Sequence, residues 1–235
     1  MPTLSRSRWA LACALGLCLA FLSFLPGSRA MNSTAPWFGL DKELVEDNEA
    51  SKIHPSELDA ATHGSWHRLY VVGHIFNLAV FGLLLTGAQA IVLKGSRVHP
   101  KSWLLLGLGY PLLLVPEALW PRIVLGPHSG PVEPLIILVG GGSLLGFLQW
   151  QYLRRRGVQA GKWYGLWILG LVLGFAAVIP PALLLENLKE SIGIASGSAF
   201  EYGLDLVLLG SVSGAVAGLV SGGAMVQALR NRAAQ

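Results

Sequence analysis

Asp59, His63 and His67 stand at four-residue steps, and His74 follows seven residues later. On a helix of 3.6 residues per turn the three histidines fall within about 40° of one another, and Asp59 extends the same stripe. Imidazole and carboxylate ligands at this spacing suit zinc, copper, iron or nickel, because two histidines one turn apart can aim at a single ion. Glu117, close to Pro111 and Pro116, is a further candidate ligand for such a transition metal, or an acid on a proton or ion route. His74 lies deeper in an apolar run and is a candidate ligand for haem or chlorophyll. The plainer reading has His63 and His67 bonded to water or headgroups, His74 bonded to a neighbouring helix, and Glu117 at the aqueous boundary near Trp120 and Arg122.

The elements that must position these residues are membrane helices. Tyr70 to Leu93 is 24 residues without a formal charge, and a helix of that length reaches about 36 Å, enough to cross a bilayer with some tilt. The chain is 53% hydrophobic and 13% charged, with a mean hydropathy of +0.55. Soluble domains carry about 25% charged residues, so so few charges cannot coat a soluble surface. The predicted fold is all-α: a polytopic integral membrane helical bundle with five core transmembrane helices, at 70–93, 102–120, 135–153, 163–185 and 206–229. The second of these is interrupted by Pro111 and Pro116, and helix breakers survive in a membrane where protein or water receives the freed backbone groups.

Residues 1–30 read as a signal peptide or signal anchor. Arg6 and Arg8 form a basic start, Trp9 to Leu25 is apolar, and small residues around Ala30 suit signal peptidase. Cleavage after Ala30 would remove Cys13 and Cys18, the two cysteines of the chain, and with them any cysteine nucleophile or disulfide. Residues 31–65 form an exported polar segment and helix entrance, with Trp37 and Phe38 expected at the membrane interface. Residues 66–235 are then the transmembrane domain.

Orientation follows from the order of the charges. Eleven of the 17 basic residues, from Arg6 and Arg8 through Lys94, Arg97, Lys101, Arg154, Arg155, Arg156, Lys162, Arg230 and Arg232, fall on one side of the predicted crossings. All 13 acidic residues fall on the other. Basic loops stay in the cytoplasm, so a cleaved product has its amino terminus outside and its carboxyl terminus inside a prokaryotic inner (plasma) or photosynthetic membrane. Glu133, Glu186, Glu201 and Asp205 share the exported level with Glu117. No basic cluster is interleaved with a water-facing aromatic platform, which argues against nucleic acid as a partner.

Gly210, Gly214, Gly218 and Gly222 form a four-rung ladder in the last crossing, and Gly142 and Gly146 a shorter one in the third. Small faces let helix backbones approach closely in lipid, either within one subunit or across a homo-oligomer or other membrane subunits. The stretch 140–156 also echoes 214–232, since both pass from spaced glycines through Gln to a basic exit. With Gln149, Trp150, Arg154 and Arg155, the glycines of the third crossing give a pattern that resembles small prokaryotic membrane proteins of unassigned function, and the resemblance implies no activity. His63-Gly64 resembles the histidine-bearing helices of respiratory oxidases. The other ligand-bearing helices of that fold are missing, and no role is carried across.

Three functions compete. The leading one is a non-enzymatic accessory or packing subunit of a larger membrane complex, since no acid, base and nucleophile converge. The others are a metal-binding or redox protein with a His and acid site at the exported face, and a small ion or solute transporter using Glu117.

Overall fold

The computed structural model describes residues 4–26, 33–40, 60–94, 96, 98–114, 135–194 and 199–231. It is an all-α bundle with helices α1 (Arg6–Leu22), α2 (Ala60–Leu93), α3 (Pro100–Leu105), α4 (Gly142–Arg155), α5 (Gly161–Ile192) and α6 (Ala199–Asn231). A 3-10 helix, Leu106–Leu114, continues α3, and a π-helix, Ile136–Gly141, leads into α4. A short 3-10 turn, Ala35–Phe38, is tied to α2 by a small cluster of Ala35, Leu40 and Leu69, while Trp37 is exposed.

Among the described residues five stretches are long and apolar enough to span a membrane: Arg6–Pro26, Val71–Leu93, Ile136–Arg155, Gly161–Lys189 and Phe200–Asn231. The number five is as expected, but the membership is not. The amino-terminal segment is one of the five, and the expected crossing at 102–120 is described only to Leu114, its last six residues lying outside the described residues. Pro111 sets the winding of the part that is described. It has no N–H for an α-helical bond to Gly107, and its ring would meet that carbonyl, so the chain winds tighter from Leu106. Six α-helical and nine 3-10 residues still rise about 27 Å, close to the hydrocarbon thickness.

Helices adjacent in sequence are adjacent in space, and α6 closes back on α1, so the cyclic order is α1, α2, α3, α4, α5, α6. The ring is therefore three hairpins. Its closest approaches occur where glycines leave backbone facing backbone. A Cβ on Gly170 would come within 2.7 Å of the Ala217 Cα, and one on Gly174 within 2.7 Å of the Ser213 carbonyl oxygen, which joins α5 to α6. Gly82 and Gly107 face each other in the same way where α2 meets the 3-10 helix.

The segment expected as a signal peptide is built into this ring. Its first turn is capped by Ser5, whose hydroxyl accepts from the Arg8 N–H at 3.2 Å. Arg6 donates through Nε to the Leu219 carbonyl of α6 at 2.7 Å. No boundary of a separate, removable segment is discernible along the contact with α6. With α1 in place both described ends of the chain lie at one end of the ring, the basic one. An amino terminus opposite the carboxyl terminus would require a chain cut after Ala30.

Candidate functional site

Near the basic end the axis of the ring is filled by tryptophans from alternate helices. Trp9 of α1, Trp103 of α3 and Trp163 of α5 have no exposed surface. Their ring centroids are 6.4, 6.3 and 6.4 Å apart, edge-on or tilted, the arrangement aromatic quadrupoles favour. Each follows a basic residue closely, namely Arg8, Lys101 or Lys162. The charges snorkel to the bundle end while the indoles enter the core.

The other three helices supply polar partners. Trp103 donates through Nε1 to Gln89 Oε1 on α2 at 3.1 Å, and Gln149 of α4 donates through Nε2 to the same oxygen at 2.8 Å. Both lone pairs of that carbonyl are thereby used. The other end of the Gln89 amide donates to the Cys13 thiol of α1 at 3.7 Å. Trp9 donates to Ser221 Oγ of α6 at 3.2 Å, and Ser221 passes its own proton to the Ala217 carbonyl at 2.7 Å. Gln149 Oε1 and Trp163 Nε1 remain without partners among the described residues, one an acceptor and the other a donor. Amides, indoles and hydroxyls at this site can hold and orient neighbouring groups. They do not titrate near neutral pH, so the layer is built for positioning rather than proton transfer.

The same layer explains a pattern that the sequence carries. Gln89, Gln149 and Met225 each stand five residues before the basic exit of an even-numbered helix, at Lys94, Arg154 and Arg230, with Leu93, Leu153 and Leu229 between. All three are fully buried. The echo between 140–156 and 214–232 is a separate pattern, since its glutamines, Gln151 and Gln227, stand three residues before Arg154 and Arg230, where α2 has Ile91.

The irregular elements meet further along the bundle. The Tyr110 hydroxyl, on the 3-10 helix, donates to the Ile137 carbonyl of the π-helix at 2.6 Å. Thr86 Oγ1 of α2 lies 2.8 Å from the Gly82 carbonyl and 3.0 Å from that of Leu104, the point where α3 gives way to the 3-10 helix. Its single proton serves one of them at a time.

At the acidic end, Lys189 of α5 is buried and gathers three carboxylates. Its Nζ lies 2.7 Å from Asp205, 3.3 Å from Glu186 and 3.6 Å from Glu201. One cation against three carboxylates leaves a formal excess of two negative charges. The structure thus brings together three of the acids placed at the exported level, around a lysine that sequence reasoning passes over. The available signal was a lone lysine following the apolar run of α5, with an acid one turn before it.

The remaining candidates are placed as follows. His74 is half-buried on α2. The backbone at His63 and His67 belongs to α2, but their side chains, like Asp59 and Glu117, lie outside the described residues. Among the described residues no group of three or more His, Cys, Asp or Glu side chains is arranged to hold a metal. Gly210, Gly214, Gly218 and Gly222 face Cys18, Ala14, Ala10 and Trp9 of α1, whereas Gly142 and Gly146 receive the side chains of Leu171 and Trp167 from α5. Trp167 also donates to the Gly142 carbonyl at 2.9 Å. Comparison with family models, with curated proteins and with solved structures gives no match to this chain.

Proposed function

We propose that this membrane protein is a non-enzymatic accessory subunit of a larger assembly, oriented with its basic end in the cytoplasm of a prokaryote. The orientation is supported by Arg8, Lys94, Lys101, Arg154, Lys162 and Arg230 standing at one end of the ring. The observation that carries the reading is the far end of α5. This helix has 32 residues and is about 48 Å long, against about 40–45 Å for a bilayer with its headgroups. On its last turns Leu184, Leu188 and Ile192 repeat at four-residue steps and are 71%, 52% and 62% exposed. Phe200 and Tyr202 continue the exposed surface onto α6. The stripe covers the last turns of the Gly161–Lys189 span and runs past its end at Ile192, where acyl chains no longer cover it, and such a face suits another membrane protein.

A photo-crosslinking residue at Leu188 is expected to give one adduct of defined mass in native membranes, identifiable as a membrane protein. The same residue at Leu173, which is 45% exposed near the middle of the Gly161–Lys189 span, is expected to give lipid adducts. Lipid adducts alone at both positions would overturn the reading.

The transporter reading is favoured by one observation, the 3-10 helix facing a π-helix inside the membrane, since irregular backbone at that depth lines cavities in transporters. It requires solute or ion flux into sealed vesicles that is lost with Glu117→Gln.

A further inference from the structure

Between α1 and α2 the basic half of the bundle holds a groove of about 230 Å³, lined by Leu11, Ala12, Leu15, Ala88, Ile91 and Val92, with Arg8 at its mouth. Its shape follows from side-chain size and from one pinch point. At Gly16 the two helices touch, since a Cβ there would come within 3.1 Å of both the Leu85 Cα and the Ala88 Cβ. From that contact toward the basic end, Ala12 and Ala88 are too small to fill the space between the helices. Leu11, Leu15 and Ile91, 59%, 53% and 74% exposed, stand as walls on the outer surface. The result is a wedge, closed at Gly16 and open to the bilayer.

The wedge is smaller than the roughly 300–1,000 Å³ of ordinary cofactor pockets, and apart from Arg8 its lining is apolar. A polar ligand would find nothing there to replace its water. A hydrocarbon chain entering from the membrane would lose none. Arg8 decides what the chain is attached to. It is exposed at the basic end, and its guanidinium makes no hydrogen bond or ion pair among the described residues. A guanidinium binds phosphate with paired donors.

We infer that the groove between α1 and α2 is a binding site for one anionic phospholipid, with an acyl chain along Ala12 and Ala88 and its phosphate on Arg8. The site requires α1 to remain in the ring. It does not depend on the accessory-subunit reading, because the groove lies on the opposite half of the bundle from the α5 stripe.

Native mass spectrometry of the full chain, delipidated in mild detergent and then given dioleoyl phosphatidylglycerol or dioleoyl phosphatidylcholine, tests the inference and reports the mass of the chain in the same spectra. One phosphatidylglycerol is expected to be retained about fivefold better than phosphatidylcholine, the effect of one basic side chain on an anionic lipid. Arg8→Gln should abolish the preference and Arg8→Lys should keep most of it. Ile91→Trp, made on an exposed wall and therefore compatible with folding, should lower retention of both lipids by closing the groove. Equal retention of the two lipids by the unsubstituted protein would overturn the site, as would a preference that survives Arg8→Gln. Competition by glycerol phosphate as strong as that by the whole lipid would also overturn it, since a headgroup contact alone would then account for the binding.

Discussion

The two ends of the bundle bury polar groups of different kinds. Toward the basic end the charges stand outside, and what is buried is neutral: Gln89 and Ser221, hydrogen-bonded to the indoles of Trp103 and Trp9, and Gln149, which donates to Gln89. At the acidic end a charge is itself buried, Lys189, and two of its carboxylate partners are about half exposed, the Asp205 and Glu186 side chains at 49% and 58%, with Glu201 at 17%. The first arrangement joins helices around a closed ring through short directional bonds in a dry interior. The second fastens α5 to α6 by a field that solvent partly screens. One end is thereby specified by shape and hydrogen bonding, the other by charge. The exposed apolar stripe of α5 belongs to the charge-fastened end.

The largest effect is expected where α1 meets α6. A Cβ on Gly214 would come within 2.7 Å of the Ala14 Cα, and a backbone atom cannot move aside as a flexible side chain can. Gly214→Leu is therefore expected to exceed the usual overpacking cost of about 1–3 kcal/mol and to prevent recovery of folded protein in mild detergent. A chain starting at Met31 should fail in the same way, because it leaves the ladder without its partner helix. Gly223, whose added Cβ would meet nothing within 4 Å, is the control: Gly223→Leu should change the unfolding temperature little. Recovery of a stable protein from the shortened chain would show that the hairpins hold without α1, and the ring description would fail.

Much of this fold was legible in the sequence because membrane helices are specified by uninterrupted apolar length, and the charge order sorts their ends. The four glycines of α6 predicted a close helix contact, but spacing alone does not name the partner. The partner proved to be the segment whose basic start and small-residue exit also describe a signal peptide, since both need a basic residue followed by an apolar helix. The second crossing was legible as irregular from Pro111, whereas the 3-10 winding it takes over Leu106–Leu114 was not. The axial layer was the least legible part. Trp9, Trp103 and Trp163 look like interfacial aromatics near basic residues, and only a closed ring turns all three inward. The Lys189 cluster was half legible, because its acids stood at one level but their separation across two helices hid the cation that unites them.

The axial layer should respond next most strongly. Gln89→Leu removes the oxygen shared by Trp103 and Gln149, leaving two buried donors unsatisfied at about 1–3 kcal/mol each before relaxation. Thermal unfolding followed by tryptophan emission should show a clear loss of stability that salt does not alter. Adding Trp103→Phe to Gln89→Leu removes one orphaned donor and should recover part of the loss. If the double variant is worse by the sum of the two single effects, the hydrogen bond is not what couples α2 to α3, and aromatic packing carries the layer instead.

The smallest effect is expected at the charged end, and its dependence on salt is what separates the two ends. Lys189→Met keeps the length and apolar stem of the side chain and removes the cation facing Asp205, Glu186 and Glu201. Because Asp205 and Glu186 are about half exposed and Glu201 side chain 17% exposed, the loss should be discounted toward that of a surface pair, about 1 kcal/mol. The three carboxylates left behind repel one another, and water with dissolved cations can reach them. In about 1 M salt, where the screening length falls to about 3 Å, Lys189→Met should approach the unsubstituted protein in stability, while Gln89→Leu should remain as far below it as before. A Lys189→Met loss as large as that of Gln89→Leu and unmoved by salt would mean that the acidic end is as dry as the axial layer. The stripe of Leu184, Leu188 and Ile192 would then sit within the hydrocarbon, where lipid alone suffices to cover it.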